Sequence, residues 1–279
     1  MSSSADPVAL TLTSGAIATA LRRVRSTPLV VGLCGAQGSG KTTLAAALAE
    51  QLRREGLSVA TLSLDDLYLG RADRARLAAG VHPLLITRGV PGTHDVPLGL
   101  RIFEDLGQSK PVPLPRFDKA ADDRLPMSQW ETAPAGTEVL IFEGWCVGAI
   151  PQPRSEISEA INDLEQIDDA SGVWRDYVNT ALAGPYQQLF GRIDLQILLA
   201  APGFDVVLNW RTQQEHELRA MRGSDGAGVM SDTDIQRFIQ HYERLTRHIL
   251  KEMPDRADLV IQLGQDRAPS SYRMRDWLE

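Results

Sequence analysis

Residues 28–64 read PLVVGLCGAQGSGKTTLAAALAEQLRREGLSVATLSL. The stretch opens with a short apolar, β-branched run, the pattern of a strand buried on both faces. GAQGSG interrupts it. KTTLAAALAEQLRRE, over 41–55, then has the composition of a strong helix, and Gly56 closes it. A second buried strand is expected over 57–64. Strand, loop, helix, strand is a βαβ unit, and such units build parallel sheets with right-handed crossovers. The chain is therefore expected to be α/β.

The interruption carries chemistry. Gly35, Ala36, Gln37, Gly38, Ser39, Gly40, Lys41 and Thr42 fit G-x-x-x-x-G-K-[ST] without a mismatch, and Thr43 follows. Glycines let backbone N–H groups turn inward and approach phosphate oxygens, and the helix start adds its positive dipole end. Lys41 can reach β- and γ-phosphates, and the Thr42 hydroxyl can coordinate Mg²⁺. Because the motif follows a strand and opens a helix, it predicts binding of a nucleoside triphosphate with Mg²⁺.

Outward from this unit, EVLIFEG (138–144), RIDLQILLAA (192–201) and ADLVIQL (257–263) read as three more buried strands. The expected fold is a three-layer P-loop NTPase with a five-stranded parallel sheet and helices on both faces. Helices are expected over 14–25 with Ser14 as cap, over much of 155–190, and over 204–222 up to Gly223. Another is expected over 231–253, with Ser231 and Asp234 in a capping box. Half of the 16 prolines fall between Pro83 and Pro134. That concentration marks 65–137 as a functional stretch or small subdomain within one domain over 1–279, the acceptor-binding part if the chain is a small-molecule kinase. SDGAG (224–228) suggests a flexible break, and 223–229 fits either the hinge of a helical lid over 203–230 or a simple interhelical loop.

Composition narrows the partners. The 279 residues carry a net charge of −7, which argues against nucleic acid, whose binders present a basic face. Two cysteines make no disulfide framework, the first residues show no signal peptide, and no apolar stretch is long enough for a membrane span. A cytoplasmic location with a small-molecule acceptor is expected; the sequence does not fix the oligomeric state.

No N-K-x-D guanine reader and no LSGGQ signature occurs, which disfavours a GTP switch and a transporter ATPase. The third strand ends IFEGW, placing Glu143 at its carboxyl end, where parallel sheets gather ligands. Glu143 could hold the metal or orient a reacting hydroxyl. SLDDLY (63–68) places Asp65 and Asp66 after the second strand. Either could bind metal or accept a proton, and an acid also suits the first turn of a helix.

GAQGSGKTT, SLDDLY, RGVPGTHD (88–95), PRFDKAADDR (115–124), IFEGW and WRTQQE (210–215) together resemble the plant-type glycerate kinases, relatives of pantothenate kinase, uridine kinase and phosphoribulokinase. The resemblance spans about residues 28 to 265. It implies ATP-dependent phosphorylation of D-glycerate to 3-phosphoglycerate, with Lys41, Asp65, Glu143 and Arg211 as catalytic residues. Asp65 would be the base and Arg211 the lid arginine covering the transferring phosphate. Arg211 and Arg222 fall within about 20° on a helical wheel.

A glycerate carboxylate needs a cation, and Arg88 is the first choice, with Arg116, Lys119 and Arg124 as alternatives. Thr93, His94 and Asp95 could bind hydroxyls, and Asp118 with Lys119 would edge the cleft. Pantothenate or uridine remains open as acceptor. So does a regulatory ATPase with no acceptor.

Overall fold

The computed structural model describes residues 4–222 and 231–278, so the hinge expected over 223–229 lies outside the described residues. The chain opens with α1 (Pro7–Arg23), whose cap is Asp6: its carboxylate accepts from Val8 N at 2.8 Å and Ala9 N at 3.2 Å. The helix thus begins well before Ser14. Asp followed by Pro at the first helical position is the stronger start signal, and Ser14 spends its hydroxyl on Thr11 O inside the helix.

β1 (Leu29–Gly35), α2 (Lys41–Arg54) and β2 (Val59–Ser63) form the βαβ unit read from the sequence. The proline-rich interval is not structureless. It holds α3 (Arg71–Gly80), α4 (Val96–Gly107) and two small antiparallel pairs. β3 (Val112–Leu114) pairs with β6 (Glu131–Ala133), and β4 (Phe117–Asp118) pairs with β5 (Asp123–Arg124). Four of the interval's eight prolines sit where they do least harm, Pro97 at the first turn of α4 and Pro111, Pro113 and Pro115 along the edge-like run 111–115.

β7 (Val139–Gly144) follows. The expected helical stretch 155–190 is broken into α5 (Asp163–Asp168), α6 (Val173–Ala181) and α7 (Gln187–Phe190). Gly172 in the left-handed region starts α6, and Gly184 with Pro185 forces a π-turn over Leu182–Tyr186. β8 (Leu195–Ala200), α8 (Phe204–Arg222), α9 (Asp232–Glu252), β9 (Leu259–Leu263) and β10 (Pro269–Met274) complete the chain. The Ser231 and Asp234 capping box forms as expected.

The sheet order is β10-β9-β8-β1-β7-β2, with helices on both sides. The first five strands of the sequence reading are parallel to one another, and β10 adds an antiparallel edge on β9. β1, β7 and β8 are buried along their whole length, which explains their uninterrupted apolar runs. β1 lies between β7 and β8, so the loop leaving it opens at the centre of the sheet's carboxyl edge. Two buried ion pairs fix the neighbouring helices: Arg244 of α9 grips Glu165 of α5 through two bonds of 2.6–2.7 Å, and Arg175 of α6 meets Asp169 at 3.0 Å. No helix among the described residues is long and apolar enough to cross a membrane.

Candidate active site

The phosphate loop leaves β1 through two left-handed glycines, Gly38 (φ 79°) and Gly40 (φ 83°), the second of which is the N-cap of α2. A Cβ on Gly38 would stand 2.6 Å from Trp210 Cβ, so only glycine lets α8 pack this close. Glu143 ends β7 beside the loop, 5% exposed, and the Thr42 hydroxyl donates to its Oε1 at 3.1 Å. Glu143 Oε2 and the Ser39 hydroxyl are buried without a hydrogen-bond partner. Buried oxygens of that kind normally have partners, and a phosphate-bound divalent cation beside a phosphate fits this set.

Across the cleft, Ser63 caps a 3₁₀ turn over Leu64–Leu67 that carries both aspartates. Asp65 faces the cleft: Tyr68 donates its hydroxyl to Oδ1 at 2.7 Å, and Lys119 donates to Oδ2 at 2.6 Å. Burial pushes the Asp65 carboxyl up, but the charges of Lys119 and Lys41 and the bonds from Lys119 and Tyr68 outweigh it and hold the group at about 2. Asp66 turns toward the insertion, accepting from Phe117 N at 3.1 Å and Arg116 Nη1 at 3.2 Å. Burial raises its carboxyl, and the neighbouring Asp65 and Glu143 charges raise it further against the opposing pull of Phe117 N–H and Arg116.

These groups border one cleft of about 650 Å³. Gln37, Gly38, Lys41 and Thr42 line its nucleotide end, with Glu143 and Trp145 behind them. Asp65, Tyr68, Arg88 and Lys119 line the opposite wall, and Arg211, Phe238 and Tyr242 close the side formed by α8 and α9. Arg211 lies 5.9 Å from the Phe238 ring centre, while the Arg222 side chain lies outside the described residues.

Four expected substrate contacts lie elsewhere. Thr93 is fully buried: its hydroxyl donates to Val90 O and accepts from Gly89 N, bonds that fold the 88–95 loop. His94 stacks on Tyr68 at 4.7 Å and shares a 2.6 Å hydrogen bond with the Tyr186 hydroxyl. Burial pushes its imidazole down to about 3. Asp95 caps α4 through Leu98 N and pairs with Arg124 at 3.2 Å. Asp118 accepts from Ala120 N and Ala121 N, closing the turn between β4 and β5. Thr93, Asp95 and Asp118 are short polar side chains consumed by their own turns or caps, and His94 is taken up by Tyr68 and Tyr186, so the four lie behind the cleft wall.

The alternative cations sort themselves similarly. Arg116 is held by Asp66 and Glu131, and Arg124 by Asp95 and Tyr68 O. Arg88 lines the cleft, paired with Asp122, with its guanidinium 5.5 Å from the Phe117 ring. Asp122 also pairs with Arg74, which is fully buried, making it the hub of the wall. Sequence reading gave no role to Asp122, Tyr68, Trp145, Phe238 or Tyr242, although the first three stand inside PRFDKAADDR, SLDDLY and IFEGW. Cys34 and Cys146 are buried, and burial pushes the Cys34 thiol up to about 12, so neither offers a reactive thiolate.

A phosphate loop at the centre of a parallel sheet, facing a carboxylate across a cation-lined cleft, defines a P-loop kinase. Residues 30–150 match the model of the phosphoribulokinase/uridine kinase family. The chain is 40% identical over 225 residues to the "uncharacterized kinase mug58" of Schizosaccharomyces pombe, covering 77% of this chain and 78% of that protein. The chain belongs to the phosphoribulokinase/uridine kinase family, and it is an ATP-using kinase.

It is also 30% identical over 262 residues to the chloroplastic D-glycerate 3-kinase of Arabidopsis thaliana, covering 87% of this chain and 54% of that protein. The chain thus spans about half the length of the plant relative. Among solved structures, a D-glycerate 3-kinase from Cryptococcus neoformans superposes with a TM-score of 0.81 at 27% identity, covering 95% of this chain and 99% of that one.

Proposed function

We propose that this chain transfers the γ-phosphoryl group of ATP to the 3-hydroxyl of D-glycerate, giving 3-phosphoglycerate. The likeness to a D-glycerate 3-kinase over nearly the full length of both chains supports this. The observation that carries it is the acceptor wall: the Asp65 carboxylate beside the cations Lys119 and Arg88. A three-carbon hydroxy acid presents a hydroxyl to the first and a carboxylate to the others.

The backbone of residues 35–43 and Lys41 cradle the phosphates. Thr42 and Glu143 would hold Mg²⁺, which when bound neutralises charge on the phosphate oxygens. Asp65 accepts the proton of the attacking hydroxyl. Arg211, on α8 in the described part of the lid, stabilises the charge that develops on the transferring group. Residues 65–137 act as the acceptor-binding part of a single kinase domain. Thr93, His94, Asp95 and Asp118 shape that part by fixing its loops.

The test is ADP release with D-glycerate, L-glycerate, pantothenate, uridine and no acceptor. Turnover should be confined to D-glycerate. Turnover with uridine or pantothenate in its place would move the assignment elsewhere in the family, and equal turnover without an acceptor would overturn the kinase reading.

A further inference from the structure

Lys119 and Arg88 both line the acceptor wall, but their commitments differ. Arg88 is built into it: the guanidinium pairs with Asp122, donates to Lys119 O at 3.4 Å and rests on Phe117. That contact holds the Lys119 backbone, as does the Asp118 turn on its other side. The Lys119 side chain is 62% exposed and ends 2.6 Å from Asp65 Oδ2. An anchored backbone with a solvated stem leaves the ammonium free to swing while its origin stays fixed. As it stands, the ammonium occupies the oxygen that an acceptor hydroxyl needs, and Tyr68 holds the other.

We propose that Lys119 is a charge-selective lock on Asp65, released only by an acceptor that brings its own carboxylate. This rests on the reading of Asp65 as proton acceptor and of the substrate as a hydroxy acid. When the acid binds, Lys119 exchanges Asp65 for the substrate carboxylate, so one ion pair replaces another, while Asp65 keeps the Tyr68 hydroxyl and gains the acceptor hydroxyl as hydrogen-bond donors. The hydroxyl oxygen then bonds to the γ-phosphorus as its proton passes to Asp65. The bond from that phosphorus to the β–γ bridging oxygen breaks, and ADP leaves with the electron pair. A neutral polyol, or water, gives Lys119 no new partner. Drawing it off would leave Lys119 and the part-buried Asp65 both without an ionic partner, and those molecules bring no new ion pair in return. The low Asp65 proton affinity in the locked state acts in the same direction. Lys119 would thus set specificity by suppressing the wrong acceptors as well as by attracting the right one.

The full-length chain is assayed for ADP formation with ATP alone, with D-glycerate and with glycerol, as wild type, Lys119→Ala and Lys119→Arg. In Lys119→Ala, kcat/KM for D-glycerate should fall by about 10²-fold, the scale of removing one hydrogen-bonded charge from a site. Its rates with glycerol and without acceptor should rise roughly tenfold. Lys119→Arg should keep both low. If D-glycerate turnover falls while the glycerol and acceptor-free rates stay level or drop, Lys119 is a carboxylate contact only and the lock is overturned. If the wild type ignores D-glycerate and uses a neutral acceptor, the glycerate assignment fails. The lock is then decided by the acceptor-free rate alone, supported by a rise in Lys119→Ala and refuted without one. Its exposure keeps the substitution from threatening the fold, and stabilisation by ATP in a thermal melt verifies the nucleotide site.

Discussion

Asp65 and Asp66 are adjacent on a single 3₁₀ turn, and the turn sends their carboxylates to different partners, one into the cleft and one into the insertion. Asp65→Asn should lower kcat by about 10²–10⁴-fold, the usual scale for losing a general base, with ATP affinity by titration calorimetry nearly unchanged. Asp66→Asn should act on structure instead. It weakens the contacts to Phe117 N and Arg116 and should cost about 1–3 kcal/mol in urea unfolding, with a raised acceptor KM. If Asp66→Asn proved the more damaging to kcat, the two roles would be reversed. Much of the cleft was legible, Lys41, Thr42 and Glu143 from motif and place, and Asp65, Arg88, Lys119 and Arg211 with the help of the family resemblance; all line it. Thr93, His94, Asp95 and Asp118 do not, because a linear string shows which side chains are polar but not which ones a neighbouring turn has already claimed.

Among the elements, the five parallel strands were readable because burial on both faces writes an uninterrupted apolar run. β10 was not, since PSSYRM lies on the sheet's edge with most of its residues exposed and carries no such run. The acceptor wall was hidden for a related reason. Its order comes from long-range polar ties, with Asp122 joining Arg74 and Arg88 across more than thirty residues, rather than from a periodic pattern. Gly89 shows how tightly α9 is drawn onto this wall. Its φ of 132° is one that side chains avoid, Tyr242 donates to the adjacent Arg88 O, and a Cβ at Gly89 would overlap the Tyr242 hydroxyl. Gly89→Ala should therefore displace the Arg88 loop at a cost of about 1–3 kcal/mol, read as a lower melting temperature and a higher acceptor KM with ATP binding retained.

For the molecule as a whole, two buried histidines shape the response to acid. Burial pushes His94 down to about 3 and His241 down to about 4, so both stay neutral in the folded protein far below the ordinary histidine range. Between about pH 6.5 and 4 the unfolded chain binds protons that the native one refuses, so stability must fall as pH falls through that window. Urea unfolding at pH 5 should give a value on the order of 3 kcal/mol below that at pH 7 from these two groups. His241→Gln should remove about half of that difference. Asp65 contributes with the opposite kind of shift: its depressed carboxyl favours the fold above about pH 4, and that share is lost only as pH drops toward 2.

The Thr42 and Glu143 pair has a consequence for the order in which ligands arrive. The hydroxyl spends its proton on the carboxylate, and among the described residues no three His, Cys, Asp or Glu side chains gather as a metal cage. One carboxylate and one hydroxyl offer a divalent cation too few oxygens to give up its water. The cation should therefore enter as part of the metal–nucleotide complex. Calorimetric titration with MgCl₂ alone should show no heat of binding at millimolar concentrations, whereas the affinity for ATP should rise with added Mg²⁺ and lose most of that dependence in Glu143→Gln.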